Sequence, residues 1–273
     1  MKKIFILALL FSGCTTSQVR QDDKFIVSGM EQPAQVLVAH PDADNYPKNI
    51  PMPKIPKGYQ RLRFETPTGL KVTLMYPHRS RAIGRPDNGR LINGNCIRDK
   101  VPGYIHFGSN SCATDQTVAL IMFALGRLRQ VYPDTPPLVI GSLSAAKGGH
   151  IRPHSSHQNG RDVDIGFIPF HNKGIRSFRK LPPSDIDFEK TFFFMAVLLS
   201  TGKVRYIFVD YDLQKYLYRA AMNMGYSDDQ LAIIFQYPAN RYKKKGIIRY
   251  SPGHRNHFHV RFKCPDGDNR CIE

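Results

Sequence analysis

The feature that most constrains the fold is a histidine-rich loop that leads directly into a strand pattern, in residues 148–167. Three histidines fall within eight residues: His150, His154 and His157. The dipeptide Asn159-Gly160 is typical of a turn. Residues 162–165, Asp-Val-Asp-Ile, then alternate polar and apolar, as in a strand whose two carboxylates share one face. The sequence therefore predicts that a histidine on the loop and a carboxylate on the strand face each other.

A second histidine cluster lies near the C-terminal end, in residues 254–259. His257 and His259 are two positions apart, so they share a face if this segment is a strand. Catalytic zinc typically takes three protein ligands, which His157, Asp164 and His259 would supply. His257 beside them would act as a general base. The alternative is a set of surface or core histidines on a basic protein, and two clusters plus a carboxylate at strand spacing make it the weaker interpretation.

These two segments resemble the motifs of a known family. The run His154-Ser-Ser-His157-Gln-Asn-Gly-Arg-Asp162-Val-Asp164 resembles the first motif of the penicillin-insensitive murein endopeptidases. The run His254-Arg-Asn-His257-Phe-His259-Val-Arg261-Phe-Lys-Cys264-Pro resembles their second. The resemblance covers roughly residues 90–271 and implies the lysostaphin, D-Ala-D-Ala metallopeptidase and hedgehog-type group of zinc folds. The chain departs from the family in residues 184–190, which have no Asp-x-x-His pair for an additional metal.

The resemblance implies roles for individual side chains. The implied zinc ligands are His157, Asp164, His259 and, as a further contributor, His154. The implied catalytic histidines are His257 and His254. Asp162 would orient these groups, as a carboxylate behind a ligating histidine does. Arg161 and Arg255 lie next to the motifs and would meet a carboxylate of a peptide stem.

The first residues predict export and lipidation. Lys2 and Lys3 precede an apolar run that is too short to span a bilayer, and Ser-Gly then leads to Cys14. Residues 1–13 are therefore predicted to be a lipoprotein signal peptide, with a diacylated Cys14 as the membrane anchor. The alternative is an ordinary secretory signal with an incidental cysteine. Since Thr15 and Thr16 include no Asp for inner-membrane retention, we expect a periplasmic chain anchored in the outer membrane.

The remaining sequence predicts a tether followed by one domain. Residues 14–59 are polar and proline-punctuated, which favours an extended tether, with a short run at 34–39 that could pair locally. Residues 60–273 predict a single α+β domain, in which a small antiparallel sheet carries the zinc site and helices flank it. A hairpin is expected around 61–76, a loop at 78–110, and helices at 118–131, 188–199 and 212–224.

Charge and cysteines are consistent with an exported protein. A formal net charge of +17 attracts polyanions such as nucleic acid, anionic lipid or a wall rich in carboxylates, and charge alone does not choose among them. With Cys14 lipidated, four cysteines permit three pairings. Cys264 and Cys271 flank a Pro-Asp-Gly turn, which favours that pair and leaves Cys96 with Cys112. A cysteine zinc site is disfavoured because the sequence has no Cys-x-x-Cys.

The function that these features predict is a zinc D,D-endopeptidase that hydrolyses peptide cross-links of murein. Its partners would be peptidoglycan and, through Cys14, a membrane, with no nucleic acid and with the oligomeric state left open. One alternative is a D,D-carboxypeptidase that uses the same zinc site. A second is a non-catalytic wall-binding lipoprotein, against which the intact ligand set argues. A third is a secreted nuclease, against which the lipidation motif and the first histidine motif argue.

Overall fold

The computed structural model describes residues 55–97, 103–171 and 174–273, and it describes the backbone alone for the strand residues 24–27, 34–39 and 100–101. The strands of these residues, in chain order, are β1 (Lys24–Val27), β2 (Ala34–Ala39), β3 (Tyr59–Glu65), β4 (Lys71–Pro77), β5 (Arg81–Arg85), β6 (Asn88–Ile92), β7 (Asn95–Cys96), β8 (Lys100–Val101), β9 (Tyr104–His106), β10 (Cys112–Ala113), β11 (Leu138–Ile140), β12 (Asp162–Gly166), β13 (Val204–Val209), β14 (Ile248–Tyr250) and β15 (His257–Phe262). The helices are α1 (Asp115–Val131), α2 (Phe188–Ser200), α3 (Tyr211–Asn223) and α4 (Asp228–Ile234). The α+β class is confirmed.

The helices begin where the sequence offers a capping side chain. Thr114 accepts a hydrogen bond from the backbone N–H of Thr117 at the start of α1, and Asp187 does the same for Lys190 in α2. Ser227 and Gln230 form a reciprocal capping box at α4. Residues 191–198 of α2 are all buried, because this helix is apolar on every side and packs between α1 and α3.

The central sheet has seven strands in the order β14-β13-β15-β12-β11-β9-β8. It is larger than the small antiparallel sheet that the sequence predicts, and it is mixed, since β14 pairs with β13 in parallel and β11 with β9 in parallel. The strands β14 and β15 are not neighbours, since β13 lies between them. The reason lies in the connection from β13 to β14, which contains α3 and α4 and is long enough for the crossover that parallel strands need.

Residues 78–110 are not the loop that their Gly, Pro and Asn content predicts. The strands β5 and β6 form a hairpin whose two-residue turn is Pro86-Asp87. Gly84 and Gly89 face each other beside this turn, and a Cβ on either would come within 2.5 Å of backbone oxygen. The glycines that suggest a loop therefore permit a tight hairpin instead.

A second sheet has the order β1-β2-β4-β3. The predicted hairpin is confirmed as β3 and β4, which pair antiparallel. The strands β1 and β2 lie within the range 14–59, for which the composition predicts an extended tether, and residues 35–39 of β2 pair with β4. The difference follows from the apolar, valine-containing run Ala-Gln-Val-Leu-Val-Ala at residues 34–39, which suits a paired strand.

The core lies between the central sheet and the helices. Val163 and Ile165 of β12, and Phe258 and Val260 of β15, are fully buried in it. Their neighbours in sequence, Asp162, Asp164, His257 and His259, therefore face the opposite side of the two strands. This alternation turns the polar side chains of both motifs toward one side of the sheet.

Both predicted disulfides are present. Cys96 is bonded to Cys112, and so joins β7 to β10, while Cys264 is bonded to Cys271 after β15. The bonded cysteines are 16 and 7 residues apart in sequence, so each bond closes a short loop and restricts the unfolded chain. In the part of the chain that the structure describes, no helix has both the length and the apolar character needed to cross a membrane.

Candidate metal centre

The register of two central strands brings the two motifs together. In the antiparallel pair β12 and β15, Asp164 lies opposite His259, and Gly166 lies opposite His257. Residues directly opposite on one face of such a pair have their Cβ atoms about 5 Å apart. The pairing therefore places the carboxylate of one motif against the imidazole of the other.

The third partner, His157, comes from the loop before β12. Its φ is 65°, a left-handed conformation that is uncommon outside glycine. The conformation is held by hydrogen bonds: the Ser144 hydroxyl donates to the His157 carbonyl (2.6 Å), and the His157 N–H donates to Asp162 Oδ2 (2.9 Å). The His157 ring lies 2.8 Å from the carbonyl of Leu143 through Nδ1. Because only an N–H can pair with a carbonyl, Nδ1 carries the proton and Nε2 presents its lone pair to the site.

Three potential ligand atoms form a tight triangle. His157 Nε2 lies 3.2 Å from His259 Nδ1 and 3.3 Å from Asp164 Oδ1. His259 Nδ1 lies 3.1 Å from the same Asp164 oxygen. Tetrahedral ligands bonded to zinc at about 2.0 Å are about 3.3 Å from one another. The donor set and its spacing therefore fit a metal ion of this size and preference.

The buried oxygen at this triangle supports the fit. Asp164 is 1% exposed, and its Oδ1 is buried without a hydrogen-bond partner among the described residues. Burial raises the pKa of this carboxyl, but the neighbouring His157 and His259 outweigh it and hold the pKa well below its usual value. A buried carboxylate that stays ionised is normally paired or coordinates a metal.

Further histidines surround the triangle. Two sets of three residues share Asp164, and within each set the potential ligand atoms lie within 4.8 Å of one another. One set is His154, His157 and Asp164, and the other is His254, His259 and Asp164. His254 thus lies as near to the potential ligands as His154 does, although the sequence suggests only a catalytic part for it. The His254 ring pairs through Nδ1 with the carbonyl of Ser251 (3.1 Å). His150, the remaining histidine of the first cluster, is exposed and belongs to neither set.

Asp162 lies behind the triangle and is fully buried. Its Oδ1 accepts from His259 Nε2 (3.0 Å) and from Arg261 Nε (2.8 Å). Burial raises the pKa of this carboxyl, but the charges of His259 and Arg261 hold it well below its usual value. The hydrogen bond fixes the His259 ring so that Nδ1 faces the site.

The same carboxylate also affects the protonation of His259. Burial alone would lower the pKa of this imidazole, but Asp162 outweighs it and raises the pKa to about 9. A metal that binds through Nδ1 has to displace the proton on that nitrogen. Metal affinity at this site is therefore expected to fall as the pH decreases.

His257 lies beside the triangle and is not one of its three members. Its Nε2 lies 3.6 Å from Asp164 Oδ1, while its Nδ1 pairs with the side-chain oxygen of Asn256 at 2.7 Å. Burial lowers the pKa of this imidazole to about 4, against the opposing influence of Asp164. A neutral imidazole with its Nε2 lone pair toward the site can accept a proton.

A small, partly open cleft adjoins the His257 side of the site. Its walls are mainly apolar and include Phe178 and Asn256, which both contact His257. Arg179 is an exposed cation on the same lining. The apolar walls and the exposed cation of this cleft suit contact with part of a substrate.

The structure corrects the prediction for Arg161. This side chain is fully buried, and its guanidinium donates to the carbonyls of Ile272 (2.7 Å) and Phe262 (3.3 Å). It therefore holds the C-terminal residues against β15, and a substrate carboxylate does not reach it. Arg255 is half-buried, and its Nη1 has no hydrogen-bond partner within the described residues, so its contact with substrate stays a prediction. Cys14 and the signal peptide lie outside the described residues.

Some residues of the site are not evident from sequence reasoning. Asn256 lies inside the second motif, where its position next to a histidine was the available signal. The hydroxyl of Ser142, 3.1 Å from His154 Nε2, and the ring of Phe178 come from segments without a motif. Only the folded chain brings them to the site.

Comparison with known proteins finds a similarity to the family that the two histidine motifs resemble. The chain is similar to a curated penicillin-insensitive murein endopeptidase from Klebsiella pneumoniae subsp. pneumoniae. The two are 24% identical over 213 residues, which cover 74% of this chain and 73% of that protein. No family model matches the chain.

Proposed function

We propose that the protein is a zinc-dependent D,D-endopeptidase that hydrolyses peptide cross-links of peptidoglycan. The observation that carries the proposal is the triangle of His157 Nε2, Asp164 Oδ1 and His259 Nδ1, with spacings of 3.1–3.3 Å. The distant similarity to a protein named as a murein endopeptidase supports the substrate class. The proposal includes membership of the lysostaphin, D-Ala-D-Ala metallopeptidase and hedgehog-type group, which the resemblance of the two motifs supports.

In this proposal His157, Asp164 and His259 hold the zinc ion, and His154 is a further contributor. Zinc at this site would act as a Lewis acid that polarises the scissile carbonyl and lowers the pKa of water to about 7. His257, which keeps a free Nε2 at the edge of the triangle, takes the proton of the attacking water and passes it to the leaving amine. His254, whose ring centroid lies 5.1 Å from that of His257, helps to stabilise the charge that develops.

The proposal includes the location of the enzyme. Residues 1–13 act as a lipoprotein signal peptide, and a lipid on Cys14 anchors the chain to the outer membrane from the periplasmic side. Residues 14–59 link the anchor to the catalytic domain, 60–273. Without Lys2 and Lys3 of the signal peptide the formal net charge falls from +17 to +15, which favours the approach of the domain to a wall that carries many carboxylates.

Digestion of purified sacculi, with plasmid DNA as a parallel substrate, tests the proposal. The expected products are uncross-linked muropeptides, released by the parent protein and not by His259→Ala. Loss of terminal D-alanine without loss of cross-links would assign a D,D-carboxypeptidase instead, and nicked plasmid would assign a nuclease. Binding to sacculi without any product would leave only a wall-binding protein.

A further inference from the structure

An aromatic ring covers one face of the imidazole that the proposed reaction uses as a base. The rings of Phe178 and His257 are stacked, with centroids 4.5 Å apart and planes within 8° of parallel. Phe178 belongs to the stretch between β12 and α2, remote in sequence from β15. It matches no motif, and the contact exists only because the fold brings this stretch over the site.

The position of the Phe178 ring depends on glycine at a neighbouring residue. A Cβ on Gly141 would lie 2.5 Å from Phe178 Cζ and 2.6 Å from Cε2, too close for any real contact. Phe107 contacts the same ring edge-on, with centroids 4.8 Å apart. The ring is therefore held in a slot that is shaped to it, and it is not simply resting on a surface.

A second contact fixes the imidazole in its plane. His257 Nδ1–H donates to the side-chain oxygen of Asn256 at 2.7 Å, which sets the tautomer and leaves Nε2 without a proton. Nε2 then lies 3.6 Å from Asp164 Oδ1, beside the three potential ligands. The stack restrains the tilt of the ring, and the hydrogen bond restrains its rotation.

We propose that Phe178, together with Asn256, is a positioning residue that holds His257 in the orientation its proton transfer requires. This inference rests on the proposed function, in which His257 is the base. Without the stack the imidazole can swing toward the cleft or toward the ligands, and its Nε2 leaves the path of the proton. A displacement of about 1 Å can cost on the order of 10²-fold in rate.

The test combines Phe178→Leu with Gly141→Ala, which displaces the same ring without removing it. Each variant is expected to lower kcat on a soluble cross-linked muropeptide by about 10–10²-fold, with zinc content as in the parent and a smaller change in KM, since Phe178 also lines the cleft. Because both act through one ring, the double variant should be no slower than the slower single variant. Phe170→Leu is the matched control, since Phe170 is 52% exposed in the same stretch, and its kcat should match the parent.

The ring protons of His257 give a readout that does not depend on activity. A stacked phenylalanine shifts these NMR resonances upfield in the intact protein, so both variants should move them downfield while Phe170→Leu leaves them in place. An unchanged kcat in Phe178→Leu, or unmoved His257 resonances, would overturn the inference. If the parent cuts no muropeptide, the proposed function fails, and the resonances still decide whether Phe178 holds the ring.

Discussion

Replacing Asp162 by alanine should weaken both the fold and the metal site. Its carboxylate accepts from the His157 N–H (2.9 Å), from His259 Nε2 (3.0 Å) and from Arg261 Nε (2.8 Å). A buried donor left without an acceptor costs about 1–3 kcal/mol, and a broken buried ion pair costs about 3–5 kcal/mol. Since Arg261 is 22% exposed and can be rehydrated, the lower part of the second range applies. We therefore expect a loss of about 3–4 kcal/mol in the free energy of unfolding.

The metal affinity should fall independently of this loss. Asp162 orients the His259 ring, and removal of such a partner typically costs about 10–10²-fold in affinity. Urea unfolding in the presence of a chelator measures the first effect, and competition with a chromophoric chelator measures the second. Asp134→Ala is the control, because that carboxylate is 79% exposed and should change stability by less than about 0.5 kcal/mol. An Asp162→Ala protein that matched the parent in both assays would refute the reasoning.

Three further predictions concern the lipid anchor, the buried Arg161 and the dependence of stability on pH. Cys14→Ser should abolish labelling with lipid and move the protein out of the membrane fraction, and a lipid-labelled variant would contradict the anchor. Arg161→Ala should lower the unfolding temperature and leave KM unchanged, because the guanidinium binds the carbonyls of Phe262 and Ile272; a raised KM with unchanged stability would restore a substrate contact. The pKa of Asp162 is held below its usual value, so its contribution to stability is present above pH of about 4 and is lost as the pH falls through the lowered folded-state pKa. Acid unfolding of the parent, compared with Asp162→Ala, should show the difference between them shrinking only at low pH.

The arrangement of the site followed from the sequence where a local rule applied. Alternation predicted that Asp162 and Asp164 share a face, and the register with His259 agrees with that face. The helices predicted at 118–131 and 188–199 agree with α1 and α2 to within a few residues. These features depend on neighbours in the chain, which a sequence displays directly.

Features that depend on tertiary contacts could not be predicted from the sequence. Gly84 and Gly89 suggested a loop, because a sequence does not tell a flexible glycine from one that lets two strands approach. Arg161 was predicted to bind substrate because charge beside a motif suggests it, whereas burial assigns it to the C-terminal carbonyls. The stack of Phe178 on His257 joins segments that are distant in sequence, and no local sequence pattern indicates it.

Zinc content measured beside turnover, for the parent and two variants, tests the central claim most directly. His257 and His259 share a strand face, yet His259 Nδ1 lies 3.1 Å from Asp164 Oδ1 and His257 Nε2 lies 3.6 Å from it. We predict that His259→Ala loses both zinc and turnover on cross-linked muropeptide. His257→Ala should keep one zinc per chain while its turnover falls by about 10²–10⁴-fold. Zinc lost from His257→Ala but retained by His259→Ala, or full turnover in a zinc-depleted parent, would contradict the account.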